Sequence, residues 1–269
     1  MTSSPTSPPA LALPLPSLMI STILGVPYAD HAFFQQHSVV AVDTTATPED
    51  SAASAGELSA YLARLIESRR SAPTDDVVSD FAARVEAGEL TTPEAALMAV
   101  VLLIAGHETS ANMIALGTLA LLQNPDQLAL LRSTDDPKVV AGAVEEMLRY
   151  LSVAHTGQRR IALEDVELGG ETIRAGEGVI VALPAGNWDA DAFPEPARLD
   201  LQRPAAHHHA FGFGIHQCVG QQLARVELQV VYGTLYRRIP TLELAVPAAE
   251  VRYKHDSLAF GVHELPVTW

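Results

Sequence analysis

From Thr92 to Asn124 the chain has a single proline, and it stands where a helix tolerates one. Thr92 reads as the N-cap, Pro93 occupies the first helical position, and Glu94 suits the positive end of a helix. Asn124-Pro125 closes the run. Such a helix would be about 45 Å long at about 1.5 Å per residue, so much of the fold has to be arranged along it. It is apolar nearly all round, which predicts a place deep in a core. Its middle nevertheless reads Gly106-His107-Glu108-Thr109-Ser110. A buried carboxylate is costly and needs either a partner or a task. One reading is structural: Thr109 bonds back to a carbonyl of its own helix and Glu108 is satisfied by a neighbour. The other is functional: Ala105 and Gly106 leave a small gap beside an acid and an alcohol that relay protons.

The flanking pattern is also mostly helical. Leu18-Met19-Ile20 and Ile23-Leu24 form an apolar face that stops at Gly25-Val26-Pro27. Asp30 is expected to cap a short helix through Phe33 and Phe34, and residues 43–54 read as a loop. Helical spacing returns at Leu58, Leu62, Leu65 and Ile66, then in a short stretch from Val77 to Val85 that stops near Gly88. Another helix follows Asp136-Pro137 and reaches Tyr150. Beyond it, Val166-Glu167-Leu168, Gly169-Gly170 and Thr172-Ile173 read as a hairpin, and Val179 to Leu183 as a strand. Residues 186–209 are irregular. Helical character resumes from Gln217, and the tail suggests short strands. The expected class is mainly α with small β-sheets. Residues 1–12 read as a flexible Ser- and Pro-rich arm and 13–269 as one domain.

Composition narrows the partners. The formal net charge is −15, which excludes nucleic acid and anionic membrane surfaces as main partners. The N-terminus lacks the basic start and apolar run of a signal peptide. The longest uninterrupted apolar stretch, Ala95 to Ala105, is too short to span a bilayer. A soluble cytoplasmic protein is expected.

Cys218 is the only cysteine, so no internal disulfide forms, which fits a reducing compartment. A lone cysteine is most often an inert buried thiol. A zinc reading draws on His207-His208-His209 and His216 nearby, but the paired ligand spacing of zinc sites is absent. The setting of Cys218 argues for more. It lies in Phe211-Gly212-Phe213-Gly214-Ile215-His216-Gln217-Cys218-Val219-Gly220, immediately before a helix. The glycines allow turns and close approach to a flat ligand, and the helix start favours thiolate over thiol. A thiolate held by backbone donors suits a haem iron.

This decapeptide resembles the haem-binding loop of the cytochrome P-450 family, written Phe-Gly-x-Gly-x-His-x-Cys-x-Gly. All defined positions match: Phe211, Gly212, Gly214, His216, Cys218 and Gly220. Leu223-Ala224-Arg225 and Glu227 resemble the bacterial branch. The resemblance implies haem b (iron protoporphyrin IX) as cofactor, Cys218 as the metal ligand, and His216 and Arg160 as partners of the haem propionates. It implies that Glu108 and Thr109 deliver protons to dioxygen, with Ala105 and Gly106 leaving room for it. It also implies that Glu146-Met147-Leu148-Arg149 locks onto a later arginine, with Arg198 in Pro196-Ala197-Arg198-Leu199 as the candidate.

The implied activity is that of a monooxygenase. It would take electrons from a ferredoxin- or flavin-type donor and hydroxylate or epoxidise an apolar small molecule. Val153, Ala154 and Leu102 are candidates for lining the substrate pocket. Against the family, the chain reads as the C-terminal two-thirds of the fold, lacking roughly the N-terminal third. That implies an apolar surface to be covered by a partner or by self-association. The alternative function is a truncated, non-catalytic haem-binding relative or helper protein. Because electron donors of the family are often acidic, a basic docking patch has to be local, with Arg225 as its candidate.

Overall fold

The structure is a computed structural model that describes residues 12–269; the expected arm lies, but for its last residue, outside them. In chain order the helices are α1 (Pro14–Leu24), α2 (His31–Val42), α3 (Pro48–Ser71), α4 (Val77–Glu86), α5 (Thr92–Gln123), α6 (Pro125–Ser133) and α7 (Pro137–Tyr150). Strands β1 (Gln158–Ile161), β2 (Val166–Leu168), β3 (Glu171–Ile173) and β4 (Gly178–Val181) follow, then α8 (Leu183–Asn187), α9 (Gln221–Arg238), β5 (Glu243–Leu244) and β6 (Val267–Thr268). The strands pair as antiparallel ribbons, β1 with β4, β2 with β3 and β5 with β6. The class is mainly α with small sheets, as expected. The chain divides into two units. One gathers the described residues up to Gln123 together with Thr241–Trp269; the other is Asn124–Pro240.

In the first unit, α1 and α3 pack along α5. Leu58, Leu62 and Ile66 recur every four residues on α3 and are wholly buried, beside Ala95, Ala96 and Ala99 of α5. Each such aliphatic side chain contributes about 2 kcal/mol by leaving water. The alanines let the two helix backbones approach closely.

Gly25 ends α1 in the left-handed region, at φ 75°. A side chain there would overlap the Asp76 carboxylate, and the Gly25 carbonyl accepts a hydrogen bond from Arg69 at 2.8 Å. Only glycine meets both demands.

Three local expectations are corrected here. Residues 48–54 are helical: Thr47 caps α3 by accepting from the Asp50 N–H, and Pro48 opens it. The N-cap of α5 is Thr91. Its N–H donates to Glu94 at 2.8 Å, while its hydroxyl accepts weakly from the Glu94 N–H, the two halves of a capping box. Thr92 instead donates to Glu67. Asp30 precedes α2 but does not cap it with its side chain, because its carboxylate accepts the Tyr61 hydroxyl at 2.6 Å.

Helix α5 is 32 residues long and apolar enough to cross a membrane, so the length argument from Ala95 to Ala105 is set aside. More than half of its apolar window is covered by protein, as in a core helix. Its burial is uneven. From Ala111 to Leu121 it is buried nearly all round, as expected, but along its first half Leu97 (60% exposed), Val101 (57%), Ala105 and Thr109 form an exposed ridge at spacing four.

In the second unit, α7 and α6 pack against α9. The β2–β3 hairpin turns at Gly169 (φ 63°) and Gly170 (φ 88°), where two consecutive positive φ values call for glycine. The β1–β4 ribbon leaves Ile161 and Ile180 exposed. Leu183, expected at the end of a strand, opens α8 instead. Helix α9 begins at Gln221, so residues 217–220 belong to the preceding loop.

Candidate functional site: the Cys218 loop and the polar centre of α5

The Cys218 loop is closed by its own backbone. The Cys218 N–H donates to the Phe211 carbonyl at 2.9 Å, and the Gln217 N–H donates to Gly214 at 3.0 Å. Gly212 (φ 73°) and Gly214 (φ 79°) take left-handed conformations that turn the chain between these bonds. The result is an exposed thiol at Cys218. Around it in sequence stand Phe213 (85% exposed), Ile215 (94%) and Val219 (86%). Three large apolar side chains so exposed in one short loop mark a surface built to be covered. His216 is exposed and makes no ion pair among the described residues. Arg160, on β1, is exposed, and its guanidinium donates to the Arg159 carbonyl.

Behind the loop lies a buried charge lock. Arg149 donates to both oxygens of Glu146, at 2.7 and 2.8 Å, and to the Asn187 carbonyl at 2.8 Å; neither side chain touches water. The arginine that completes it is Arg203, whose Nε donates to Glu146 at 3.1 Å. Arg198 pairs instead with Glu195 at the surface. The expectation for Arg198 is therefore corrected: irregular chain brings the arginine five residues later to the carboxylate. Glu145, next to Glu146, takes Arg225 bidentately at 2.7 and 3.0 Å and faces His208 Nε2 at 3.1 Å. Burial pushes its carboxyl up, but the bonds from His208 and Arg225 outweigh burial and hold it at about 2. The Arg225 guanidinium also lies over the Phe211 ring, 4.6 Å from its centre.

In the first unit, the polar centre of α5 splits between two faces. Thr109 is exposed, and its hydroxyl donates to the Ala105 carbonyl at 2.8 Å. Glu108 is buried; Lys254 Nζ lies 3.6 Å from one of its oxygens and His107 Nε2 3.5 Å from the other. His107 Nδ1 donates to the Leu103 carbonyl. Burial pushes the Glu108 carboxyl up, yet His107 and the Lys254 ammonium prevail and hold it below the ordinary carboxylate value. Both contacts of the structural reading are present. The side-chain direction at Gly106 is filled by Ile20, so the open room on this helix lies beside Ala105.

A sequence model of the cytochrome P450 family matches residues 26–242. The chain belongs to the cytochrome P450 family. It is 60% identical over 260 residues to cytochrome P450 CYP105Q4 of Mycobacterium marinum, covering 96% of this chain and 63% of that one. It is 54% identical over 262 residues to cytochrome P450 GfsF of Streptomyces halstedii, covering 97% and 63%. The crystal structure of GfsF superposes with a TM-score of 0.89, covering 97% of this chain and 66% of that one. That of the mycinamicin VIII C21 methyl hydroxylase MycCI from Micromonospora griseorubida superposes with 0.92 at 42% identity, covering 100% and 68%. The chain spans about 63% of the length of the curated relatives it matches.

Cytochrome P450 proteins bind haem b, and the Cys218 loop fits such a group. It offers one thiol to a metal, apolar side chains to a macrocycle, and glycines that let a flat ligand approach. The histidine tract has structural roles: His207 stacks on Phe193, His208 binds Glu145, and the His209 N–H donates to Asn187. No cluster of His, Cys, Asp and Glu suited to a metal occurs among the described residues. Arg225 is engaged by Glu145 and Phe211, so the idea of a basic docking patch around it is withdrawn. Of the candidate pocket residues, Val153 is buried, Ala154 exposed and Leu102 packed against the core of the first unit. Sequence reasoning missed Glu145, Arg203, His107 and Lys254, whose roles depend on partners far along the chain. A buried acid predicts a cation in general, but no local signal names Lys254.

Proposed function

We propose that this chain acts as a haem-thiolate monooxygenase that hydroxylates or epoxidises an apolar small molecule. The observation that carries the reading is the Cys218 loop, with its thiol and three apolar neighbours exposed together on a hydrogen-bonded frame. When bound, haem b supplies the reductive activation of dioxygen, with electrons from a ferredoxin- or flavin-type donor. Cys218 Sγ would hold the iron, Phe213, Ile215 and Val219 would exclude water around it, and Gly212 and Gly220 would let the backbone approach the group. His216 and Arg160, which have no acidic partner among the described residues, would hold the propionates. Thr109 Oγ1 presents a hydroxyl on the open ridge beside Ala105 and holds the proton to be delivered. Glu108 is kept ionised, so it resupplies Thr109 only by leaving Lys254, taking a proton and turning back. Hydroxylation of a small molecule is in keeping with a structural relative named as a mycinamicin VIII C21 methyl hydroxylase. We place the protein in the cytoplasm, where a lone thiol stays reduced.

A second reading is a non-catalytic haem-binding relative or helper. The engagement of Glu108 by Lys254 and the open apolar ridge of α5 favour it. The carbon monoxide spectrum of the reduced, haem-reconstituted chain separates the two. A thiolate-type Soret band, abolished in Cys218→Ala, supports the monooxygenase. A neutral-thiol band, or failure to take up haem, rejects it in favour of the second reading.

A further inference from the structure

Glu145 has no part in the haem-loop motif or in the Glu146–Arg149 lock, yet it touches both supports of the Cys218 loop. Its first support is Arg225 of α9, gripped through both carboxylate oxygens and laid over the Phe211 ring. The Phe211 carbonyl in turn accepts the Cys218 N–H. Its second support is His208. Because the Ala210 N–H donates to His208 Nδ1 at 3.0 Å, that nitrogen carries a lone pair, and Nε2–H donates to Glu145. His208 is itself buried, with its ring 5.9 Å from that of Phe211. One carboxylate on α7 therefore fixes the cation that covers Phe211 and the imidazole that holds the backbone one residue before it.

We propose that Glu145 is a positioning residue for Cys218, setting the loop through Arg225 and His208. The carboxylate never reaches the thiol. It restricts the Phe211 ring and the Ala210 amide, and so holds the Phe211 carbonyl where the Cys218 N–H needs it. A charged, bidentate contact suits this because it fixes the guanidinium in place over the Phe211 ring. For iron ligation the inference rests on the haem-thiolate reading above; for the loop itself it does not.

The first test uses the haem-free full chain, so it does not depend on that reading. Amide exchange is measured at Cys218 and, as a reference in α9, at Val231. In Glu145→Gln the Cys218 amide is expected to exchange about tenfold faster while Val231 is unchanged. Arg225→Lys keeps a positive charge but loses the bidentate contact with Glu145, and is expected to give the same selective loss. It decides the matter if Glu145→Gln fails to fold. Unchanged exchange at Cys218, or equal acceleration at Val231, overturns the proposal. The second test uses the haem-reconstituted chain reduced under carbon monoxide. Glu145→Gln is expected to convert part of the thiolate band to the neutral-thiol band at unchanged haem content. An undivided thiolate band in the variant overturns the role in ligation. Absence of that band from the parent chain is a failure of the haem-thiolate reading instead, and leaves the exchange result to decide the positioning of the loop.

Discussion

Glu145 also carries a dependence on pH. Its carboxyl is held at about 2 in the fold, against an ordinary value of 4.5. A depressed carboxyl stabilises the fold above its unfolded value, and that contribution disappears as pH falls through its folded value. The affected window runs from about pH 4.5 down to about 2. The contribution is about 3 kcal/mol as an upper bound, because water still reaches part of the Glu145–Arg225 pair. Urea unfolding of the parent is expected to weaken through this window more steeply than that of Glu145→Gln; equal slopes would count against the assignment. At this scale the Cys218 loop was legible in the sequence, because its glycines, cysteine and histidine fall within ten consecutive residues and their spacing is local. The third arginine of the lock was not. Arg198 and Arg203 both lie in chain without periodicity, so nothing local says which one meets Glu146. Glu145 was hidden for a related reason: its partners His208 and Arg225 stand 63 and 80 residues away.

Helices were read more reliably than their starts. The heart of α5 follows from its apolar residues and flanking prolines, but its cap lies one residue before the expected Thr92. Thr91 prevails because Glu94 then falls three residues later and returns a bond to the Thr91 N–H, whereas Thr92 is drawn to Glu67. Thr91→Ala is therefore expected to cost about 1 kcal/mol in unfolding free energy. Thr92→Ala loses one exposed hydroxyl contact and is expected to cost less. Thermal unfolding of the two variants checks the order, and a larger loss in Thr92→Ala would contradict it. The start of α3 was missed although Thr47, Pro48, Glu49 and Asp50 spell a helix opening, because the polar run before Leu58 looked like a loop. The open ridge along the first half of α5 could not be read at all. A helix apolar all round does not reveal which face its neighbours leave open.

Taken whole, the chain leaves large apolar side chains exposed in both of its units. Leu97 and Val101 on α5, Phe213, Ile215 and Val219 in the Cys218 loop, and Ile161 and Ile180 on a two-stranded ribbon are all open to water. Patches of this kind drive association. Sedimentation of the haem-free chain is expected to show association that rises with concentration and weakens with mild detergent. A single monomeric species across that range would run against it. The class of the fold was legible from helical periodicity, and the family from the loop motif. The division into two units was not, since it depends on where the chain returns.

That return has a temporal meaning. Glu108 on α5 meets its cation at Lys254, Asn112 meets the Ala259 carbonyl, and the segment after α2 pairs through Thr44 with Asp256. The first unit is thus closed by residues that follow the whole of the second. On a ribosome, α1 to α5 emerge well before their last neighbours. Until the final segment is made, the charge on Glu108 waits without its lysine. The unit that begins first is the one completed last, and its nascent helices have the longest opportunity to meet a chaperone.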